Sequence, residues 1–285
     1  MEKSITVAAA GKINLSLRVT GRRHDGYHTI DTVMHETGLH DTITVTLGGE
    51  GITVDCPGDI EPQSNLAYRA ARAYLDACGA DDGVHIAIEK HIPVSGGMAG
   101  GSADAAAVLR ALDSLIGAVS RELLYGAALS LGADVPFCLA GGAMRCTGIG
   151  EIMTPCRPLP PHKLMIVGGC GEKRSTAAMY SELDSRLGCG TDGGGRDRID
   201  IGGDMAQVLE SGELELVCTA LHNDFELVNP GCAAVRRLLS DCGALGSLLS
   251  GSGPTVFGLF EPDFDTAPAV DRLTAAGYKV LYVGI

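Results

Sequence analysis

Two periods divide the chain into strands and helices. In KINLSLRVT, Ile13, Leu15, Leu17 and Val19 occupy every second position, the signature of a half-buried strand. An extended stretch from about Thr29 to Leu39 follows, then an alternating strand carrying Ile43, Val45 and Leu47. Ser64 is the expected N-cap of a helix over NLAYRAARAYLDAC. Alternation returns at Val84, Ile86 and Ile88. Beyond a glycine-rich stretch, Ala105, Val108, Leu109, Leu112, Leu115 and Ile116 recur at helical spacing, predicting a helix with one apolar face. A further helix is expected from Ser120 to about Leu131, closed by Gly132. The segment Gly132–Pro136 then reads as a turn, with Pro136 steering Val135 away from helical angles.

The second half opens with a strand, KLMIVG, and a helix from about Ser175 to Leu187. The stretch GCGTDGGGRDRIDIGGD, near Gly188 to Gly203, reads as a mobile surface loop. A helix from about Pro230 to Asp241 follows. Strands SLLS and TVFGLF flank the turn Gly251-Ser252-Gly253-Pro254, and a helix near Thr266 to Ala276 leads to the strand YKVLYVG. Four prolines between Thr154 and Pro161 mark the expected boundary between residues 1–156 and 157–285. The last strand, about 277–285, is a candidate to pack back on the first part. Strands and helices mixed in both halves predict an α+β chain of two domains.

Composition sharpens this picture. Hydrophobic residues make up 45% of 285, enough for a sizeable core, but aromatics are only 4% and Trp is absent, so small aliphatic side chains must do the packing. No apolar run reaches membrane-span length and the first residues lack a signal-peptide apolar segment, so a cytoplasmic protein is expected. A net charge of −13 argues against general binding to nucleic acid or anionic membranes, while leaving room for a locally positive site. The ten cysteines form no CxxC pair; reduced, mostly buried thiols are expected, and no zinc pattern is present.

The candidate chemistry centres on Pro93-Val94-Ser95-Gly96-Gly97-Met98-Ala99-Gly100-Gly101-Ser102-Ala103-Asp104. A strand feeds a loop of small residues that opens into a helix N-terminus, where backbone N–H groups favour an anion. It is not a Walker A sequence, because Ser102 rather than Lys-Ser follows Gly101, and Met98 stands where a dinucleotide fingerprint needs glycine. A plain connecting turn would look the same. Lys12 and Asn14 share the strand face opposite Ile13, Leu15 and Leu17, so Lys12 is either an ordinary solvated lysine or a cation aimed at a phosphate or at an attacking hydroxyl. Asp134 is a turn residue, or else a general base or a metal-facing carboxylate. Tyr27 and His28 close a glycine-bounded loop and either pack on the strand below or hold a flat heterocycle. Ser252, between two glycines, offers a hydroxyl at a tight turn.

Taken together, five stretches resemble the GHMP kinases, a family of small-molecule kinases. They are AGKINL with TGRRHDGYH, the glycine loop PVSGGMAGGSADAAA, LGADVP, NDFE and SGSGPT, in that order over nearly the whole chain. The DGYH loop resembles family members acting on a cytidine diphosphate derivative of methylerythritol. The resemblance implies a two-domain GHMP-kinase-like fold with an active-site cleft between the domains. It also implies ATP- and Mg2+-dependent phosphorylation of that substrate's 2-hydroxyl, in non-mevalonate isoprenoid precursor synthesis. Residue by residue it implies a phosphate loop over Pro93, Val94, Ser95, Gly96, Gly97, Met98, Ala99, Gly100, Gly101 and Ser102, with Lys12 and Asp134 catalytic. Tyr27 and His28 would recognise cytidine, Asn14 would line the same pocket, and Tyr180 would stack on the base. Two departures stand out: Ser102-Ala103 replaces the usual pair of serines, and Met98 replaces the usual leucine. The first leaves the metal ligands unassigned. Rival readings are a family member acting on a sugar, mevalonate or homoserine, and a catalytically inactive nucleotide-binding protein.

Overall fold

The computed structural model describes residues 3–58, 61–171, 174–187 and 201–284. In chain order the strands and helices are β1 (Lys3–Arg22), β2 (His28–Leu47), β3 (Ile52–Asp55), α1 (Leu66–Cys78), β4 (Val84–Glu89), α2 (Gly100–Ile116), α3 (Arg121–Leu131) and α4 (Val135–Ala140). Then come β5 (Ala143–Thr147), β6 (Ile152–Pro155), β7 (Lys163–Gly168), α5 (Thr176–Leu187), α6 (Ile201–Ser211), α7 (Leu214–Ala220) and β8 (His222–Asn223). A 3-10 turn (Asp224–Val228), α8 (Cys232–Asp241), β9 (Gly246–Leu249), β10 (Val256–Phe260), α9 (Ala267–Ala275) and β11 (Lys279–Gly284) complete the order. Two compact units result. The first takes in Met1–Gly11, Leu39–Val94 and Ala99–Gly141; the second takes in Lys12–Gly38, Ser95–Met98 and Gly142–Ile285. Both long strands, β1 and β2, therefore contribute to each unit.

In the first unit, Thr42–Leu47 of β2 runs antiparallel to β4, from Thr42 opposite Glu89 to Leu47 opposite Val84, and β3 lies parallel to β4. Threonine and serine hydroxyls pair across β1 and β2 at Thr6–Thr44 and Ser4–Thr46, both 2.9 Å. The helix α1 packs on α2, α3, β3 and β4, and α4 packs on α2 and α3. Three local expectations change here. Asn65, not Ser64, caps α1, its Oδ1 accepting from Ala67 N at 2.9 Å, because Ser64 is taken up in a preceding 3-10 turn. Val135 is helical despite Pro136, since a proline in the first turn removes a donor that has no partner there. And α2 is not one-faced. Ala103 to Leu109 are all buried, because a run of alanines lets other elements approach from every side, while Leu115 and Ile116 are only half-buried.

In the second unit, Thr32–His35 of β2 pairs antiparallel with β5, and β5 with β6. At Ser16 and Leu17, β1 pairs in parallel with β8. A separate antiparallel sheet runs β11-β7-β10-β9. Its core joins Met165, Val167, Leu249, Val256 and Phe260 with Leu17, Val19, Phe225, Val228 and Val235. The proline-rich stretch lies within this unit, where Leu159 N donates to His35 Nε2 at 3.1 Å.

The glycine-rich stretch read as a mobile loop falls at residues 188–200 outside the described residues, and Ile201–Gly203 begin α6 rather than continuing a loop. Of the nine described cysteines, all free, only Cys138, Cys146, Cys170 and Cys232 are buried, so "mostly buried" overstated the case; Cys189 lies outside the described residues. Among the described residues, no helix is long and apolar enough to cross a membrane.

Candidate active site

Within the second unit, Lys12 is buried, 4% exposed. Its backbone N–H donates to Met98 O at 3.1 Å, which seats the middle of the glycine loop against β1. Its ammonium donates to Asn14 Oδ1 at 2.7 Å and to Gly97 O at 3.1 Å. Both polar atoms of Asn14 are engaged: Oδ1 also accepts from Gly251 N at 2.9 Å, and Nδ2 donates to Thr32 Oγ1 at 2.8 Å. Ser250 Oγ donates to Gly97 O at 3.0 Å. The two glycine turns are thus pressed together. A Cβ on Gly97, whose φ is +80°, would fall 2.1 Å from Ser250 O, so only glycine fits. Ser95, at φ 54°, holds a left-handed conformation that non-glycine residues rarely adopt.

The electrostatic consequence follows from the partners. Asn14 and Gly97 offer Lys12 neutral oxygens, which take two of its three hydrogens without cancelling its charge. A buried cation in that condition attracts an anion strongly, because little solvent screens it.

The NDFE stretch brackets the second glycine turn. Asn223 Nδ2 donates to Leu249 O at 2.7 Å and Gly251 O at 2.8 Å, and Asp224 Oδ2 accepts from Val19 N at 2.8 Å. Glu226 pairs with Arg236 and accepts from Leu249 N. Ser252 sits 3.2 Å from Thr176 Oγ1 at the start of α5.

His28 and Tyr180 come together: their rings stack at 4.3 Å with 12° between planes, and Phe225 meets Tyr180 edge-on at 4.9 Å. His28 Nε2 lies 2.8 Å from Asp184 Oδ1, and Arg22 lies 3.5 Å from Asp184 Oδ2. Asp184 escaped sequence reading. Its signal was position, one turn after Tyr180 on the same face of α5. Tyr27 is 61% exposed.

In the first unit, α2 starts at Gly100 after Ala99, which has φ 58° and contributes no side-chain cap. The opening N–H groups, flanked by Gly100, Gly101 and Ser102, are therefore met by no capping side chain from Ala99. That arrangement suits the oxygens of a nucleotide phosphate. Val94, at the loop entrance, is 64% exposed. Asp134 occupies the N-cap position of α4; its carbonyl accepts from Cys138 N, and its half-buried carboxylate makes no capping bond. Among the described residues, no three His, Cys, Asp or Glu side chains gather as a metal-ion nest.

Sequence reading also missed a buried charge cluster in this unit. Lys90 Nζ donates to Asp41 Oδ2 at 2.5 Å and to Asp104 Oδ2 at 2.8 Å. Burial pushes the Asp104 carboxyl above the usual carboxylate range, against the pull of Lys90, because Asp41 draws on the same ammonium. Burial alone would lower the Lys90 ammonium; the two carboxylates outweigh it and raise it. No periodic pattern marks these positions, since their partners lie far apart in sequence.

Comparison with known proteins identifies the family. The GHMP kinases N terminal domain matches residues 65–142, and GHMP kinases C terminal matches residues 205–279. A 4-diphosphocytidyl-2-C-methyl-D-erythritol kinase of Desulfitobacterium hafniense is 40% identical over 269 residues, covering 92% of this chain and 89% of the relative. One of the same name from Geobacter metallireducens is 40% identical over 280 residues, 95% of each chain. A crystal structure of 4-(cytidine 5'-diphospho)-2C-methyl-D-erythritol kinase superposes with a TM-score of 0.80 at 34% identity, covering 99% of this chain and 100% of that one. A mevalonate kinase from L. major, 18% identical with a TM-score of 0.74 over 96% of this chain and 92% of its own, shares the fold. The chain is an α+β small-molecule phosphotransferase and belongs to the GHMP kinase family.

Proposed function

We propose that this protein transfers a phosphoryl group from ATP to the 2-hydroxyl of 4-diphosphocytidyl-2-C-methyl-D-erythritol, with Mg2+, in non-mevalonate isoprenoid precursor synthesis. The names of the relatives at 40% identity support the substrate, and the family supports ATP. The observation that carries the chemistry is Lys12, a buried cation held by neutral oxygens at the glycine loop. The family's N- and C-terminal matches fall on either side of residue 156, which supports a division of the sequence into a nucleotide part, 1–156, and a second part, 157–285.

Phosphoryl transfer asks a protein chiefly for positioning and charge stabilisation. The loop from Pro93 to Ser102 and the opening turn of α2 hold the nucleotide phosphates. Lys12 offsets negative charge growing on the transferred group. Asp134 accepts the proton of the attacking hydroxyl as its oxygen bonds to phosphorus and ADP leaves. Were Mg2+ bound, Ser102 would be the loop hydroxyl available to hold it, and the ion would supply charge to offset that of the phosphates. His28 and Tyr180 provide the cytosine surface, Asp184 fixing the orientation of the His28 ring, with Tyr27 at its exposed edge. Asn14, with its polar atoms already engaged, contributes to the site by holding Lys12 and the Gly251 turn.

The test is ADP release by purified protein given ATP, Mg2+ and separate alcohols. Turnover with the cytidyl substrate is expected; turnover with mevalonate or homoserine alone overturns the substrate assignment. Asp134→Ala is expected to depress kcat by about 10²–10⁴-fold with ATP binding retained. Near-normal turnover would remove Asp134 as the base.

A further inference from the structure

The chain that leads into the glycine loop is gripped by a charge cluster for which phosphoryl transfer has no chemical use. We infer that Lys90, clamped between Asp41 and Asp104, is a positioning residue for the nucleotide phosphates, setting where the loop leaves β4 and where α2 begins. The inference rests on the phosphate role proposed above for the loop.

The contacts bracket the loop at both ends, all within the first unit. At the entrance, Asp41 is fully buried, and its Oδ1 accepts from His91 N at 2.5 Å and Ile92 N at 2.8 Å, the two residues immediately before Pro93. The other oxygen of Asp41 takes Lys90. At the exit, the same ammonium reaches Asp104, in the second turn of α2. The start of the helix rests on this assembly: a Cβ placed on Gly100 would lie 3.0 Å from Ile92 Cγ2 and 3.5 Å from Lys90 Nζ. One side chain therefore ties strand end, loop entrance and helix start into a single unit of geometry.

A loop of glycine, serine and alanine needs such an anchor. It has almost no side chains with which to fix its own backbone, so the aim of its N–H groups is set by whatever holds its two ends. The cluster also has a bearing on charge. Two carboxylates close to a helix N-terminus oppose a bound phosphate, and Lys90 counters them. Among the described residues Asp104 Oδ1 is buried with no hydrogen-bond partner, the condition of a carboxyl that can hold a proton and shed its charge when an anion arrives. Stability alone is a poor reason for the arrangement, since buried ion networks contribute little net stability compared with apolar packing of the same volume.

The experiment uses the full chain with ATP and ADP as probes, comparing wild type, Lys90→Met and Asp104→Asn. Calorimetric titration gives ADP affinity, steady-state kinetics give KM for each substrate, and a melting curve fixes a temperature at which each variant is folded. For Lys90→Met, KM for ATP and the ADP dissociation constant are expected to rise about tenfold, with KM for the cytidyl substrate changed by less than about twofold. Asp104→Asn keeps an oxygen for Lys90 and is expected to raise KM for ATP about threefold. It carries the test by itself if Lys90→Met does not fold. A lowered melting temperature with unchanged KM for ATP and ADP affinity would make the cluster purely structural and overturn the inference. So would an equal rise in both KM values, which reports general loosening. Failure of the wild type to bind ADP would sink the phosphate role of the loop and this inference with it, whereas wild-type binding with unaltered variants sinks the inference alone.

Discussion

Two lysines of this chain, Lys12 buried and Lys90 half-buried, are treated in opposite ways. Lys90 faces two carboxylates, and its charge is spent within the protein. Lys12, the more deeply buried, is given an amide oxygen and a peptide carbonyl. The first arrangement locks backbone in place: Asp41 holds His91 and Ile92, and Lys90 joins them to α2. The second leaves a positive charge in a poorly screened place at the glycine loop. A matched buried ion is an anchor, and a buried ion with neutral partners is a charge kept for something else.

The sharpest way to break this contrast is to remove each cation. Lys90→Met leaves Asp41 and Asp104 facing one another without a counter-ion, and a loss of about 3–5 kcal/mol in unfolding free energy is expected from denaturant titration. Lys12→Met removes a charge that no carboxylate among the described residues answers, so its stability should change by less than about 1 kcal/mol. Its kcat should instead fall by about 10²–10³-fold. If Lys12→Met is the less stable variant, or retains turnover, the contrast is wrong.

Acidity gives a second, smaller test with opposite signs. Asp104 holds its proton more tightly folded than unfolded. Its contribution to stability is therefore complete below the ordinary carboxylate value of 3.8 and is lost as pH rises through about 7. His35 is the reverse. Burial lowers it below the usual 6.5, and its Nε2 must stay unprotonated to accept from Leu159 N. Its contribution is present above 6.5 and is lost as pH falls through its lowered folded value. Unfolding free energy measured across this range should decline less toward neutral pH in Asp104→Asn, and less toward acid pH in His35→Gln. Unchanged profiles would remove either group as the source.

The smallest expected effect concerns a helix end. Asn65→Ala should cost about 1 kcal/mol, while Ser64→Ala should cost less than about half of that. The reverse order would restore Ser64 as the cap.

Much of this was legible in the residues. Alternation located β1 and β4 and the ends of β2, although residues 11–17 of β1 are buried on both faces and the two strands expected over Thr29–Leu47 form the single strand β2. The glycines of the loop were readable because a left-handed backbone and a close approach to another chain segment leave few alternatives. Lys12 and Asn14 on one face followed from the same period. The shorter pieces were not legible: β5 and β6, of five and four residues, and α7, of seven, are too brief to show a period. The NDFE stretch could be recognised as a pattern, but not as the bracket that ties Asp224 to β1 and Asn223 to the second glycine turn.

Sequence alone determined the family and the α+β composition, and proposed residues for phosphoryl chemistry, since those readings depend on local spacing and side-chain type. Only the tertiary structure decided which charges are cancelled. Lys12 and Lys90 each lie beside an apolar strand, and their difference in charge lies in partners brought from residues 97, 41 and 104. Electrostatic energy is set by distance and surrounding medium, and the order of residues along a chain fixes neither until the chain has folded.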